Sequence, residues 1–135
     1  MTASDLEGKR ILIIEDNAEN TRLFRAILKL EGVTDILEAE RARNGIELAQ
    51  QQQPDLILMD IQMPDMDGLT ATRLLRADPA TAAIPIVAVT ASVTEKDRRE
   101  ILDAGCDEHI AKPIDPAAFV EQIAAHLRTP GSKDE

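Results

Sequence analysis

The chain has 135 residues, 44% of them hydrophobic, which suffices for one domain that closes its own core. Its formal net charge of −10 repels nucleic acid and anionic membranes. With no Trp or Tyr, only Phe24 and Phe119, and a lone Cys106, aromatic stacking on bases and an intramolecular disulfide are both excluded.

Residues 1 to 8 read as a flexible polar tail without the apolar core of a signal peptide. The folded unit is expected from residue 9 to residue 128. The first strand signal is Ile11-Leu12-Ile13-Ile14, an unbroken β-branched run suited to burial on both faces. A helix is predicted from about Ala18 to Leu30, with Leu23, Phe24, Ile27 and Leu28 inward and Gly32 as its stop. Asp35 to Ala39 is a weaker strand, followed by a helix marked by Ile46, Leu48 and Ala49 that ends before Pro54.

Leu56-Ile57-Leu58-Met59 is the next strand, and Leu69, Leu74 and Leu75 mark the third helix. Ile86-Val87-Ala88-Val89 is the fourth strand. A capping box from Ser92 to Glu95 is expected to open the fourth helix, which ends near Ala104-Gly105. His109 to Ala111 is a short strand candidate. The last helix has Asp115-Pro116 as N-cap and first turn, with Phe119, Val120, Ile123, Ala124 and Leu127 as its inner stripe. Residues 129 to 135 read as a second flexible tail. No apolar run approaches the ~20 residues that span a bilayer, and a reducing cytoplasm is the expected compartment for a buried, inert Cys106.

Strand and helix alternate five times, so right-handed crossovers predict a parallel sheet covered on both faces. Ligands of such sheets sit outside the carboxyl ends of the strands. Glu15 and Asp16 follow the first strand, Asp60 the third, Thr90 the fourth and Lys112 the fifth. One polar residue after a strand is ordinary, because chains turn there. Four strand ends that carry acids, a hydroxyl and a cation are a different matter. Three carboxylates drawn together repel, by ~4 kcal/mol for two charges 4 Å apart at an effective dielectric near 20. An all-oxygen ligand set of this kind suits Mg²⁺, and with Lys112 the site approaches neutrality.

These residues, with the stretches Ile13-Ile14-Glu15-Asp16-Asn17, Leu58-Met59-Asp60-Ile61-Gln62-Met63-Pro64, Met66-Asp67-Gly68, Val89-Thr90-Ala91 and Lys112-Pro113, closely resemble bacterial response-regulator receiver domains. The resemblance runs from about residue 9 to residue 128. It implies a flavodoxin-like receiver fold, five parallel strands in the order 2-1-3-4-5, which seats the first and third strands side by side. It also implies that Asp60 accepts a phosphoryl group. Glu15, Asp16, Asp60 and the backbone carbonyl of Gln62 would hold Mg²⁺. Thr90 matches the switch hydroxyl, and Lys112 the phosphoryl-binding lysine, with a cis bond to Pro113. His109 stands where many members carry the aromatic half of the switch.

The implied partners are a sensor histidine kinase or histidine phosphotransfer protein and a downstream protein target. Direct nucleic-acid or membrane binding is not expected, and a homodimer through the fourth helix, fifth strand and fifth helix is. A receiver excised from a larger regulator or hybrid kinase, and a pseudo-receiver that binds without phosphochemistry, remain alternatives. A phosphatase with an aspartate nucleophile is disfavoured, because such enzymes place an acid two residues after the nucleophile, where this chain has Gln62.

Overall fold

The structure, a computed structural model, describes residues 5–91 and 94–127. Five strands and five helices alternate: β1 Arg10–Ile14, α1 Ala18–Leu30, β2 Asp35–Ala39, α2 Ala42–Gln52, β3 Leu56–Asp60, α3 Gly68–Ala77, β4 Ile86–Thr90, α4 Glu95–Ala104, β5 Glu108–Ala111 and α5 Pro116–Ala125. The sheet is wholly parallel, in the order β2-β1-β3-β4-β5. Chain order and sheet order differ, and that difference makes β1 and β3 neighbours, with Ile14 opposite Met59.

Alternation along the strands sorts the core into two layers. Ile11, Ile13, Leu58, Val87 and Val89 point toward α1 and α5, where Phe24 and Phe119 stack with ring centroids 5.3 Å apart. Leu12, Ile14, Ile57, Met59 and Ala88 point toward α2, α3 and α4. The central strands β3 and β4 are buried along their whole length, as their unbroken apolar runs require.

The helix boundaries follow local chemistry. Asn17, Asp67, Thr94 and Asp115 each cap a helix by accepting a bond from a first-turn amide, and Pro116 opens α5. Gly32 and Gly105 take the left-handed backbone beyond the ends of α1 and α4. Three expectations are corrected. Leu23 is exposed, at 38%, rather than inward-facing. It lies about 100° around its helix from the buried Phe24, at the margin of the apolar stripe. The fourth helix is capped by Thr94, whose hydroxyl accepts from the Asp97 amide at 3.1 Å, so Glu95 is its first residue and not the third position of a box. Ser92 lies outside the described residues. Finally, Leu6, expected in a tail, is fully buried in the α1–α5 core. A single leucine without a periodic partner carries no pattern for a sequence reading to detect.

Candidate functional site

The carboxyl ends of the strands are held in register by backbone bonds that continue past the sheet. The Glu15 amide donates to Ala39 O at 3.0 Å, the Ile61 amide to Val89 O at 3.1 Å and the Lys112 amide to Thr90 O at 2.9 Å. These bonds bring the ends of β1, β3, β4 and β5 to one edge. Glu15, Asp60 and Thr90 are buried there, at 2%, 4% and 4% exposure, while Asp16 faces solvent.

Glu15, Asp16 and Asp60 each offer a carboxylate oxygen, and the three lie within 4.8 Å of one another. Lys112 Nζ stands 3.6 Å from Asp60 Oδ1 and 3.7 Å from Glu15 Oε1. The Lys112–Pro113 peptide is cis. Two amides steady the acids: Asn17 N donates to Glu15 Oε2, and Gln62 N donates to Asp60 Oδ1, both at 3.1 Å. Gln62 itself is exposed.

Burial pushes the Asp60 carboxyl up to about 7, and hydrogen bonding and repulsion from Glu15 add to the rise. The Gln62 amide and Lys112 pull the other way without cancelling it. One lysine does not balance three acids. Among the described residues, Glu15 Oε1 is a buried oxygen without a hydrogen-bond partner, at the edge of the same cluster. A carboxylate trio with an unsatisfied buried oxygen and an exposed side at Asp16 is chemically fitted to a hard divalent cation that retains some of its water.

The loop that carries this edge is tied down by contacts without a short-range sequence signal. The Gly68 amide donates to Ile61 O at 2.7 Å, turning the chain back on itself after Asp60. Asp65 accepts from the amides of Ala42 and Arg43 at 3.0 and 3.1 Å, so a residue of the β3–α3 loop caps α2 in place of Arg41, which makes no side-chain cap. Those bonds, the one from Ala42 first, hold the Asp65 carboxyl below the usual carboxylate range. Sequence reasoning missed Asp65 because it lies 23 residues from the amide that it caps.

Thus the structure gathers Glu15, Asp16, Asp60, Thr90 and Lys112 at one edge. His109 is half-buried in β5, and its carbonyl accepts from the Gln122 side chain at 3.3 Å. His126 is the C-cap residue of α5 and also bonds Glu108 at 2.9 Å. Burial pushes the Cys106 thiol up. Among the described residues, no helix is long and apolar enough to cross a membrane.

Residues 11–124 match the model of the response regulator receiver domain. The polar-differentiation response regulator DivK of Brucella anthropi is 42% identical over 122 residues, covering 88% of this chain and 96% of the relative. Among solved structures, the receiver domain of a sensor histidine kinase from Pseudomonas aeruginosa, with a magnesium ion coordinated in its active-site cleft, aligns with a TM-score of 0.83 and 32% identity over 90% of this chain and 99% of that one. A CheY-like receiver protein of Methanospirillum hungatei aligns with a TM-score of 0.80 and 28% identity, over 88% and 93% of the two chains. The chain belongs to the response regulator receiver domain family.

Proposed function

We propose that this receiver-family chain signals by taking a phosphoryl group onto Asp60. The observation that carries the reading is the position of Lys112 Nζ, 3.6 Å from Asp60 and 3.7 Å from Glu15, beside a three-carboxylate cluster. An Asp60 oxygen attacks phosphorus, and the bond from phosphorus to the donor's leaving atom breaks. The expected donor is a phosphohistidine of a sensor kinase or phosphotransfer protein. Lys112 neutralises an incoming phosphoryl oxygen, and the Thr90 hydroxyl donates to another. Glu15, Asp16, Asp60 and the Gln62 carbonyl are the residues assigned to Mg²⁺. When bound, the ion supplies positive charge to the phosphoryl oxygens.

The transferred group adds about −1.5 to −2 charges by analogy with other phosphorylated side chains. That charge draws Thr90, and with it β4 and the segment leading into α4, into a second arrangement, and His109 on the neighbouring strand is the assigned aromatic partner. Output then passes to a downstream protein, in the cytoplasm, without contact to nucleic acid. Phosphate-dependent pairing of two copies through α4, β5 and α5 belongs to the same reading, and light scattering with and without a phosphoryl donor reads it directly. The receiver unit is assigned to residues 9 to 128, and the burial of Leu6 moves its packed start ahead of residue 9; residues 1–4 and 128–135, where the two tails were expected, lie outside the described residues.

The test is intact mass after incubation with acetyl phosphate and Mg²⁺. One phosphate is expected on the parent chain and none on Asp60→Asn. Addition to Asp60→Asn, or none to the parent, overturns the assignment.

A further inference from the structure

The second helix does not cap itself. The first amides of a helix have no acceptor within it. In α2, Arg41 at the N-cap makes no side-chain bond, and the first turn carries no acid to offset the helix dipole. The loop after Asp60 supplies what is missing. Asp65 Oδ1 accepts from the Ala42 amide at 3.0 Å, and Oδ2 from the Arg43 amide at 3.1 Å. Both oxygens are used, so one carboxylate ties the loop to the helix at two points.

Each side of this tie leads to the acid cluster. On one side, α2 is pressed onto β1. A Cβ at Gly45 would lie 2.6 Å from Ile14 Cγ1, and Ile14 is followed directly by Glu15 and Asp16. On the other side, Asp65 belongs to the loop that opens at Asp60. The Gly68 amide closes the base of that loop on Ile61 O at 2.7 Å, and the Gln62 amide donates to Asp60 Oδ1 at 3.1 Å. Met63 is buried in the core layer below. Apolar burial is non-directional, so the polar bonds fix how the loop is turned about Met63. Asp65 therefore closes a circuit from β1 through α2 and the loop to β3, and it relates Glu15 and Asp16 to Asp60 from outside the sheet.

We propose that Asp65 is a positioning residue for the metal site: by holding the loop after Asp60 against the N-terminus of α2, it sets the spacing of the three carboxylates and so the affinity for Mg²⁺. The inference rests on the assignment of Mg²⁺ to that cluster. Spacing matters because Mg²⁺ demands near-ideal octahedral geometry with oxygens at about 2.0–2.1 Å. Coupling between two equilibria is reciprocal. If breaking the tie weakens Mg²⁺ binding by some factor, Mg²⁺ must strengthen the tie by the same factor. The strength of the tie is read directly at the two amides that it protects.

The full chain is titrated with Mg²⁺ and followed by amide chemical shifts, which give the dissociation constant. Residue-resolved amide exchange is measured with and without the ion. The parent is expected to bind Mg²⁺, and saturation should slow exchange at Ala42 and Arg43 by about threefold to tenfold. Asp65→Ala should weaken Mg²⁺ binding by a matching factor and abolish the response of both amides. Asp65→Asn, which keeps one acceptor oxygen and perturbs the fold less, should fall between. Protected amides at Leu12 and Leu58 report that each variant is folded. A cap that serves stability alone predicts a different pattern: a lower urea midpoint in Asp65→Ala, the parent's Mg²⁺ affinity, and exchange at Ala42 and Arg43 that ignores the ion. Unchanged affinity in Asp65→Ala, or exchange at these amides indifferent to Mg²⁺ in the parent, would overturn the positioning role. A parent chain that takes no Mg²⁺ would instead overturn the metal assignment, and the proposal with it; that arm needs no variant.

Discussion

Gly68 runs against the backbone of Asp60: a Cβ at 68 would stand 2.6 Å from the Asp60 carbonyl oxygen and 2.8 Å from Ile61 Cα. Neither atom belongs to a flexible side chain that can step aside. The first residue of α3 and the last of β3 are thus packed as closely as two backbones allow, and this contact sets where the loop after Asp60 begins.

Gly68→Ala is therefore expected to lower stability by about 2–3 kcal/mol. It should also slow phosphorylation of Asp60, because relief of the clash must move the strand end. Urea unfolding and the acetyl phosphate reaction measure the two effects. A variant with the parent's midpoint would show that α3 shifts without cost.

The acid cluster should cost the metal-free fold stability. The folded-state Asp60 value, about 7, lies above its ordinary 3.8, so its contribution is most favourable below about pH 4 and is lost as pH rises through about 7. In chelator, Asp60→Asn should match the parent near pH 4 and exceed it by roughly 1–3 kcal/mol at pH 8. A gap of the same size at both pH values would contradict burial and repulsion as the cause.

Removal of Mg²⁺ should abolish phosphate transfer to Asp60 while leaving the circular dichroism spectrum unchanged. Asp16→Ala should do the same, since its exposed carboxylate offers an oxygen to the three-acid cluster proposed to hold the ion and adds no core packing. Phosphorylation at the parental rate in either case would remove the charge argument for the site.

At the opposite end of β5, Glu108 bonds His126 at 2.9 Å and Gln122 at 3.0 Å. Burial pushes the Glu108 carboxyl up, but the His126 and Gln122 bonds together outweigh it and leave the group below its ordinary value. Its contribution is then full above the unfolded value near 4.5 and disappears as pH falls through the lower folded one. His126→Ala should cost about 0.5–1 kcal/mol at pH 5 and almost nothing at pH 3. Chemical unfolding at the two pH values checks this, and a constant loss would assign His126 to packing alone.

Repetition within short windows made the elements legible. Apolar runs such as Leu56 to Met59 and caps such as Asn17 and Asp115 act over a few residues, and the sequence reading placed α1 and β2 at their observed bounds. The same reading misplaced Leu23, because an apolar residue at the edge of a helical stripe has the same pattern whether it is covered or not. It missed Leu6 and Asp65, which act alone on distant partners.

By itself the sequence determined five alternating strands and helices, and acids, a hydroxyl and a lysine at the strand ends, since these depend on local hydrophobic period and on residue type. Only the tertiary structure decided that Lys112 reaches both Glu15 and Asp60 and that Asp65 caps α2. Those relationships join residues brought together by the packing of separate elements, and distance in space between such residues is not encoded in their separation along the chain.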